Sequence, residues 1–93
     1  MNLDEIRKEI DKVDQGIIDL LDKRFKLVEE VYEYKVKNNI PIVQNGREKQ
    51  VIDLARQRWK DLGNLDEDFV EEFMLLLIRR SREKQEEKLN GKS

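Results

Sequence analysis

The sequence predicts an all-α fold with three helices in a chain of 93 residues. Apolar residues recur at steps of three and four, which is the period of an amphipathic helix. One proline and four glycines leave long stretches uninterrupted. Charged residues make up 43% of the chain, yet 19 basic residues nearly balance 21 acidic ones. Disorder requires low hydrophobicity together with high net charge, which this chain does not have. The composition instead indicates helices with ion-paired outer faces and a narrow apolar stripe.

The first predicted helix runs from about Leu3 to Asn38. Its apolar positions are Ile6, Ile10, Val13, Ile17, Leu20, Leu21, Leu27, Val28, Val31 and Tyr34. The only interruption is Gly16, which costs about 1 kcal/mol inside a helix. At ~1.5 Å per residue, such a helix spans roughly 54 Å. A small monomer cannot bury a stripe of this length, so the pattern predicts a partner chain.

Two shorter helices follow a break at Asn38 to Pro41, where asparagine and proline end the first helix. Asn45 is the predicted N-cap of the second helix, and Gly63 follows its end. Asp66 or a neighbour caps the third helix. The two apolar stripes are Val51, Ile52, Leu54, Ala55, Trp59 and Leu62, then Phe69, Val70, Phe73, Met74, Leu76, Leu77 and Ile78. We expect one domain over residues 1–89 and a frayed tail over residues 90–93.

The residue types that the sequence lacks narrow the chemistry. There is no cysteine for a disulfide or thiolate, and no histidine, the commonest general base and metal ligand. No apolar run approaches the ~20 residues of a membrane span, and the N-terminus lacks a signal-peptide core. The net charge of -2 does not suit a nucleic-acid binder. We expect a cytoplasmic protein that binds neither membranes nor nucleic acids and needs no metal.

Two cations interrupt the stripe of the first helix. Arg24 stands where the spacing of Ile17, Leu21 and Val28 calls for an apolar residue. Lys35 lies three turns further on the same face. A buried cation is costly unless it is paired. Arg24 therefore either extends to solvent or pairs with an acid across a dimer, or both cations face an anionic ligand inside the bundle.

Four further polar residues have two readings each. Glu48 continues the stripe of the second helix, but it also occupies the capping-box position. Ser81 and Gln85 are spaced i,i+4 and extend an apolar row, although most such pairs form a solvated helix end. Arg7 lies ~25 Å along the helix from Arg24. It is either a surface ion-pair residue or, in an antiparallel pair of first helices, a residue that reaches the other chain.

The order of these residues resembles the all-helical chorismate mutase family of the three-helix, intertwined-dimer type. The resemblance covers about Leu3 to Glu86. It is carried by Ile6-Arg7-Lys8-Glu9-Ile10, Asp14, Leu20-Leu21-Asp22-Lys23-Arg24, Lys35, Ile40-Pro41-Ile42-Val43, Arg47-Glu48, Ser81 and Gln85. It implies conversion of chorismate to prephenate, without a cofactor, at active sites shared between the chains of a homodimer.

The resemblance also implies roles for single residues. Arg24 and Arg7 of the partner subunit would bind the two substrate carboxylates, assisted by Arg47. Lys35 and Gln85 would donate hydrogen bonds to the ether oxygen of the breaking bond. The remaining implied substrate contacts are Glu48 at the ring hydroxyl, Ser81 beside a carboxylate, and Gln44, where the family often has aspartate.

The implied reaction suits a chain without histidine or cysteine, because an intramolecular [3,3] rearrangement needs no nucleophile, proton transfer or metal. It needs fixed charges that hold a compact substrate conformer and stabilise developing negative charge. Two alternatives remain open on the sequence. One is an isochorismate pyruvate lyase of the same fold. The other is a non-catalytic helical dimer in which Arg24 sets the pairing register.

Overall fold

A computed structural model describes residues 1–43 and 45–91, apart from the side chain of Asn45. It contains α1 (Leu3–Lys37), α2 (Asn45–Asp61) and α3 (Glu67–Gly91), with no strand in the described residues. The predicted all-α fold of three helices is confirmed. α3 continues through the first two residues of the expected tail, whereas Lys92 and Ser93 lie outside the described residues. None of the helices described is long and apolar enough to cross a membrane.

The bounds of α1 follow from its terminal residues. The side chain of Asn2 accepts a hydrogen bond of 2.9 Å from the backbone N–H of Glu5 at the N-terminus. At the other end, Asn39 adopts a positive φ of 56°, and the N–H of Ile40 bonds to the Lys35 carbonyl at 2.9 Å. This left-handed residue reverses the chain and satisfies a carbonyl of the last turn. The helix therefore ends one residue before the predicted position.

α2 and α3 form an antiparallel hairpin. Gly63 has a φ of 88°, and its N–H donates to the Lys60 carbonyl at 2.9 Å, which closes α2. Asp66 accepts a hydrogen bond of 3.1 Å from the N–H of Phe69, which confirms Asp66 as the cap of α3. Next to the turn, the Trp59 and Phe69 rings pack with their centroids 6.0 Å apart.

The C-terminal half of α1 packs along α3. Tyr32 is only 1% exposed, and Nζ of Lys88 lies 5.7 Å from its ring centroid. One turn earlier on α3, Nζ of Lys84 lies 5.1 Å from the centroid of the Phe25 ring. Tyr34, which belongs to the predicted apolar stripe of α1, is 63% exposed in the single chain. Tyr32 and Tyr34 are two positions apart in the helix, which separates them by ~200° around its axis. Only Tyr32 therefore faces α3.

The single chain has a very small core. Among the described residues, those that are buried are Tyr32, Val70, Leu77, Ser81 and Gln85. Every residue from Met1 to Leu20 is exposed, including the apolar stripe of α1. The chain is correspondingly elongated, with extents of 55 × 25 × 16 Å. The apolar surface of the first half of α1 is not buried by any other part of the described chain.

We expect Gly63→Ala to lower the free energy of unfolding by about 1 kcal/mol, because an alanine at positive φ is strained. Open space surrounds the position, so a steric clash does not contribute. Gly63→Asn is the matched control, since asparagine tolerates this conformation and should cost less. Urea denaturation measures both values. Equal losses for the two variants would contradict this account of the turn.

Candidate active site

A shallow cleft of about 110 Å³ lies where the start of α2 faces the C-terminal half of α3. It is lined by Ile42, Arg47, Glu48, Val51, Ile78, Ser81, Arg82 and Gln85. The cleft thus brings together four of the residues selected from the sequence, Arg47 and Glu48 of α2 with Ser81 and Gln85 of α3. Hydrogen bonds connect two more, Arg24 and Lys35, to residues that line it.

Arg24 is tied to α3 through Ser81. Its Nη1 donates a hydrogen bond of 2.7 Å to Oγ of Ser81, and that hydroxyl donates to the Leu77 carbonyl at 2.7 Å. Burial lowers the pKa of Arg24, and the neighbouring guanidinium of Arg47 lowers it further. Arg24 is therefore a half-buried cation with a second cation nearby and a neutral hydroxyl as its partner. Such an arrangement favours the binding of an anionic ligand.

Lys35 is bonded to a residue that lines the cleft. Its Nζ donates a hydrogen bond of 2.6 Å to the carbonyl of Ile42 in the link between α1 and α2. Burial lowers the pKa of Lys35, and the carboxylate of Glu48 opposes that shift. The ammonium group therefore has a fixed position, and part of its hydration has been removed.

Ser81 and Gln85 are buried, at 7% and 8% exposure, so the solvated helix end considered for them is wrong. Gln85 Nε2 makes one long bond, 3.4 Å, to the carbonyl of Ser81. Gln85 Oε1 is buried and has no hydrogen-bond partner in the part of the chain that the structure describes. A buried amide with unused bonding capacity is suited to a polar ligand.

Glu48 accepts a hydrogen bond from Nη2 of Arg82, which joins the first turn of α2 to α3. This bond raises the pKa of Arg82. The sequence reasoning did not select Arg82. The available signal was its spacing, because Arg82 follows Ile78 by four residues and precedes Gln85 by three, which places all three on one helix face.

Two of the predicted substrate contacts are not part of this arrangement. Arg7 lies on the exposed first half of α1, 17 residues from Arg24, and the chain does not fold back to bring the two together. Gln44 lies outside the described residues, as does the side chain of Asn45 that was expected to cap α2. Arg47 lines the cleft, while its Nη1 donates a hydrogen bond of 2.7 Å to Gln50.

Comparison with known proteins identifies the family. The model of the chorismate mutase type II family matches residues 6–86. A chorismate mutase of Methanocaldococcus jannaschii is 36% identical over 87 residues, which is 94% of this chain and 87% of that protein. No solved structure gives a significant match. The chain belongs to the chorismate mutase type II family, as the sequence resemblance predicted.

Two other relatives differ in length or name. A bifunctional chorismate mutase/prephenate dehydratase of Buchnera aphidicola subsp. Schizaphis graminum is 37% identical over 84 residues, which is 90% of this chain. The chain spans only 22% of the length of that protein. A 4-amino-4-deoxychorismate mutase of Streptomyces venezuelae is 34% identical over 68 residues, covering 73% of this chain and 65% of that protein.

We expect Ser81→Ala to lower the free energy of unfolding by about 1–2 kcal/mol, because it removes the acceptor of a half-buried guanidinium. In an Arg24→Gln background, the same substitution should cost less, since no buried charge then loses its partner. Urea denaturation of the two single variants and the double variant measures the coupling. Additive losses would mean that the bond between Arg24 and Ser81 does not contribute.

Proposed function

We propose that this chain acts in the cytoplasm as a homodimeric chorismate mutase, which rearranges chorismate to prephenate. The observation that carries the proposal is the grouping of Arg24, Lys35 and Arg47 around one cleft that also contains the buried amide of Gln85. Membership of the chorismate mutase type II family supports the same substrate.

The paired guanidinium groups suit a substrate with two carboxylates. Arg24 and Arg47 lie close enough for Arg47 to lower the pKa of Arg24. Like charges held together without an acid between them are stabilised when an anion enters. A guanidinium presents two parallel donors that match the two oxygens of a carboxylate. Ser81 fixes the direction of the Arg24 fork and so orients the first carboxylate.

The reaction breaks the C–O bond of the substrate's ether and forms a new C–C bond within the same molecule. Negative charge builds on the ether oxygen as the C–O bond lengthens. Lys35 and Gln85 supply N–H donors for that oxygen, with Lys35 giving up its bond to Ile42 and Gln85 its long bond to Ser81. These donors act more strongly on the transition state than on the ground state. A million-fold acceleration requires ~8 kcal/mol of such differential stabilisation.

A second chain completes the site in this proposal. The cleft of about 110 Å³ is smaller than the ~300 Å³ at the lower end of ligand pockets. A separate apolar cleft of about 570 Å³ lies beside Arg24 and is lined by Ile17, Leu20, Leu21, Arg24, Trp59, Phe69, Val70, Phe73, Met74 and Leu77. The exposed stripe at the start of α1 has the apolar character to fill it. Antiparallel packing of two α1 helices then carries Arg7 of the partner subunit towards Arg24.

The direct test is the loss of chorismate absorbance on addition of the purified protein, followed by identification of the product. Prephenate formed without an added cofactor supports the proposal. Salicylate and pyruvate formed from isochorismate, with no turnover of chorismate, would assign a lyase instead. A folded dimer that is inactive on both substrates would favour the non-catalytic alternative.

Lys35→Ala should lower kcat by about 10²–10³-fold, the usual effect of removing one donor to a developing oxyanion. Lys35→Arg should restore little of the lost kcat, because the planar guanidinium places its donors differently from an ammonium group. Lys37→Ala, an exposed lysine of the same helical turn, is the control. A Lys35→Ala variant with wild-type kcat would eliminate this role for Lys35.

The same lysine predicts a pH dependence. Only protonated Lys35 donates, so kcat/KM should fall as pH rises through its pKa. Because burial lowers that pKa, the fall should begin at a lower pH than for an ordinary lysine. A pH profile of kcat/KM measures this limb, which should be absent from the residual activity of Lys35→Ala.

A mixing experiment tests whether the active site is shared. Arg7→Ala and Arg24→Ala homodimers should both be nearly inactive, because each site lacks one of the two arginines that bind the substrate carboxylates. Mixed and refolded together, half of the dimers are hybrids with one intact site, so activity should recover to about a quarter of wild type. Recovery requires Arg7 and Arg24 to come from different chains. A mixture as inactive as its components would contradict the shared site.

A further inference from the structure

Arg82 is a charged residue of the cleft that the proposed roles leave without a function. Its Nη2 donates a hydrogen bond to Oε1 of Glu48, and it lines the cleft together with Ser81 and Gln85. Its Nε is buried without a hydrogen-bond partner in the described residues. Its side chain is 38% exposed. Arg82 is therefore tied to the site through its bond to Glu48, and the carboxylate of Glu86 also acts on its charge.

Glu48 is the single acid among the eight residues that line the cleft. Two cations act on it, because Arg82 bonds to it directly and Lys35 is close enough for the carboxylate to affect its pKa. The negative charge of Glu48 is therefore balanced by its neighbours before any ligand enters. With Arg47 also in the lining, the cleft has an excess of positive charge.

The geometry of the pair determines what Glu48 can accept. Arg82 occupies Oε1, which leaves Oε2 for a donor from the substrate. A neutral hydroxyl can donate to Oε2 without changing the charge balance. An ammonium group in the same place would lie beside a carboxylate that is already neutralised and would be repelled by the surrounding cations. The site therefore favours a hydroxyl over an ammonium.

We infer that Arg82 is a positioning residue, which holds Glu48 towards the ring hydroxyl of the substrate and makes the site select that hydroxyl over an amino group on the same ring carbon. The inference rests on the proposed mutase function and on the assignment of Glu48 to that hydroxyl. It adds to that function a determinant of substrate choice, on a residue that acts through Glu48 and does not touch the reacting bond.

The test compares kcat/KM for two substrates, chorismate and 4-amino-4-deoxychorismate, in the wild-type chain and in Arg82→Gln. The substitution should lower kcat/KM for chorismate and shift the preference towards the amino substrate by about tenfold, because one like charge is removed. The matched control is Arg80→Gln, which removes the same charge from an exposed position on α3 where Arg80 pairs with Glu83. The control should leave the preference unchanged.

Two further variants separate positioning from a structural role. Arg82→Lys keeps the charge but loses the planar fork, so it should retain the preference while kcat/KM for chorismate falls. If circular dichroism shows that Arg82→Gln is unfolded, Arg82→Lys is used to test the inference in its place. In a Glu48→Gln background, Arg82→Gln should have little additional effect on kcat/KM for chorismate, because a positioning residue acts through its partner.

An unchanged substrate preference in Arg82→Gln would overturn the inference, and so would additive effects of the Arg82 and Glu48 substitutions. An equal shift in Arg80→Gln would also overturn it, since the effect would then reflect net charge alone. If the wild-type chain converts neither substrate, the proposed function fails and takes this inference with it. Wild-type activity with an unaltered preference rejects only the inference.

Discussion

A helix of 35 residues cannot bury its apolar stripe against helices of 17 and 25 residues that themselves form a hairpin. Only the C-terminal half of α1 meets α3, where Tyr32 becomes the most buried side chain of the core. The first half extends away with its apolar residues exposed. This constraint shapes the rest of the molecule. It separates Arg7 from the cations of the candidate site, and it leaves the apolar cleft beside Arg24 open on the surface of the single chain.

The site is organised by charges that the chain only partly neutralises. Arg24 bonds to a hydroxyl and Lys35 to a carbonyl, while the one carboxylate lining the cleft, Glu48, bonds to Arg82. Desolvated cations that are bonded to neutral groups are costly without a ligand and favourable once an anion binds. Their presence fits a reaction in which the protein supplies fixed charges and a fixed substrate shape, without proton transfer.

Individual residues show how far sequence reasoning reached into the site. Arg24 was recognisable because a cation interrupted an otherwise apolar row, and its bond to Ser81 explains that interruption. Arg82 carried a weaker signal, its spacing from Ile78 and Gln85, because it lies in a run of charged residues in the second half of α3. Its importance depends on Glu48, 34 residues earlier, being brought opposite it by the turn between α2 and α3. No pattern within one helix contains that pairing.

The sequence by itself determined the three helices, their ends to within about two residues and the cations that interrupt the apolar rows. These properties depend on neighbours within a few turns, through backbone hydrogen bonding, capping and a period of 3.6 residues. Only the tertiary structure decided that Tyr32 and not Tyr34 packs on α3, that Ser81 and Gln85 are buried, and that Glu48 bonds to Arg82. Those outcomes depend on the rotation of each helix about its axis. Packing between segments that are distant in the sequence sets that rotation, so the sequence of one helix does not determine it.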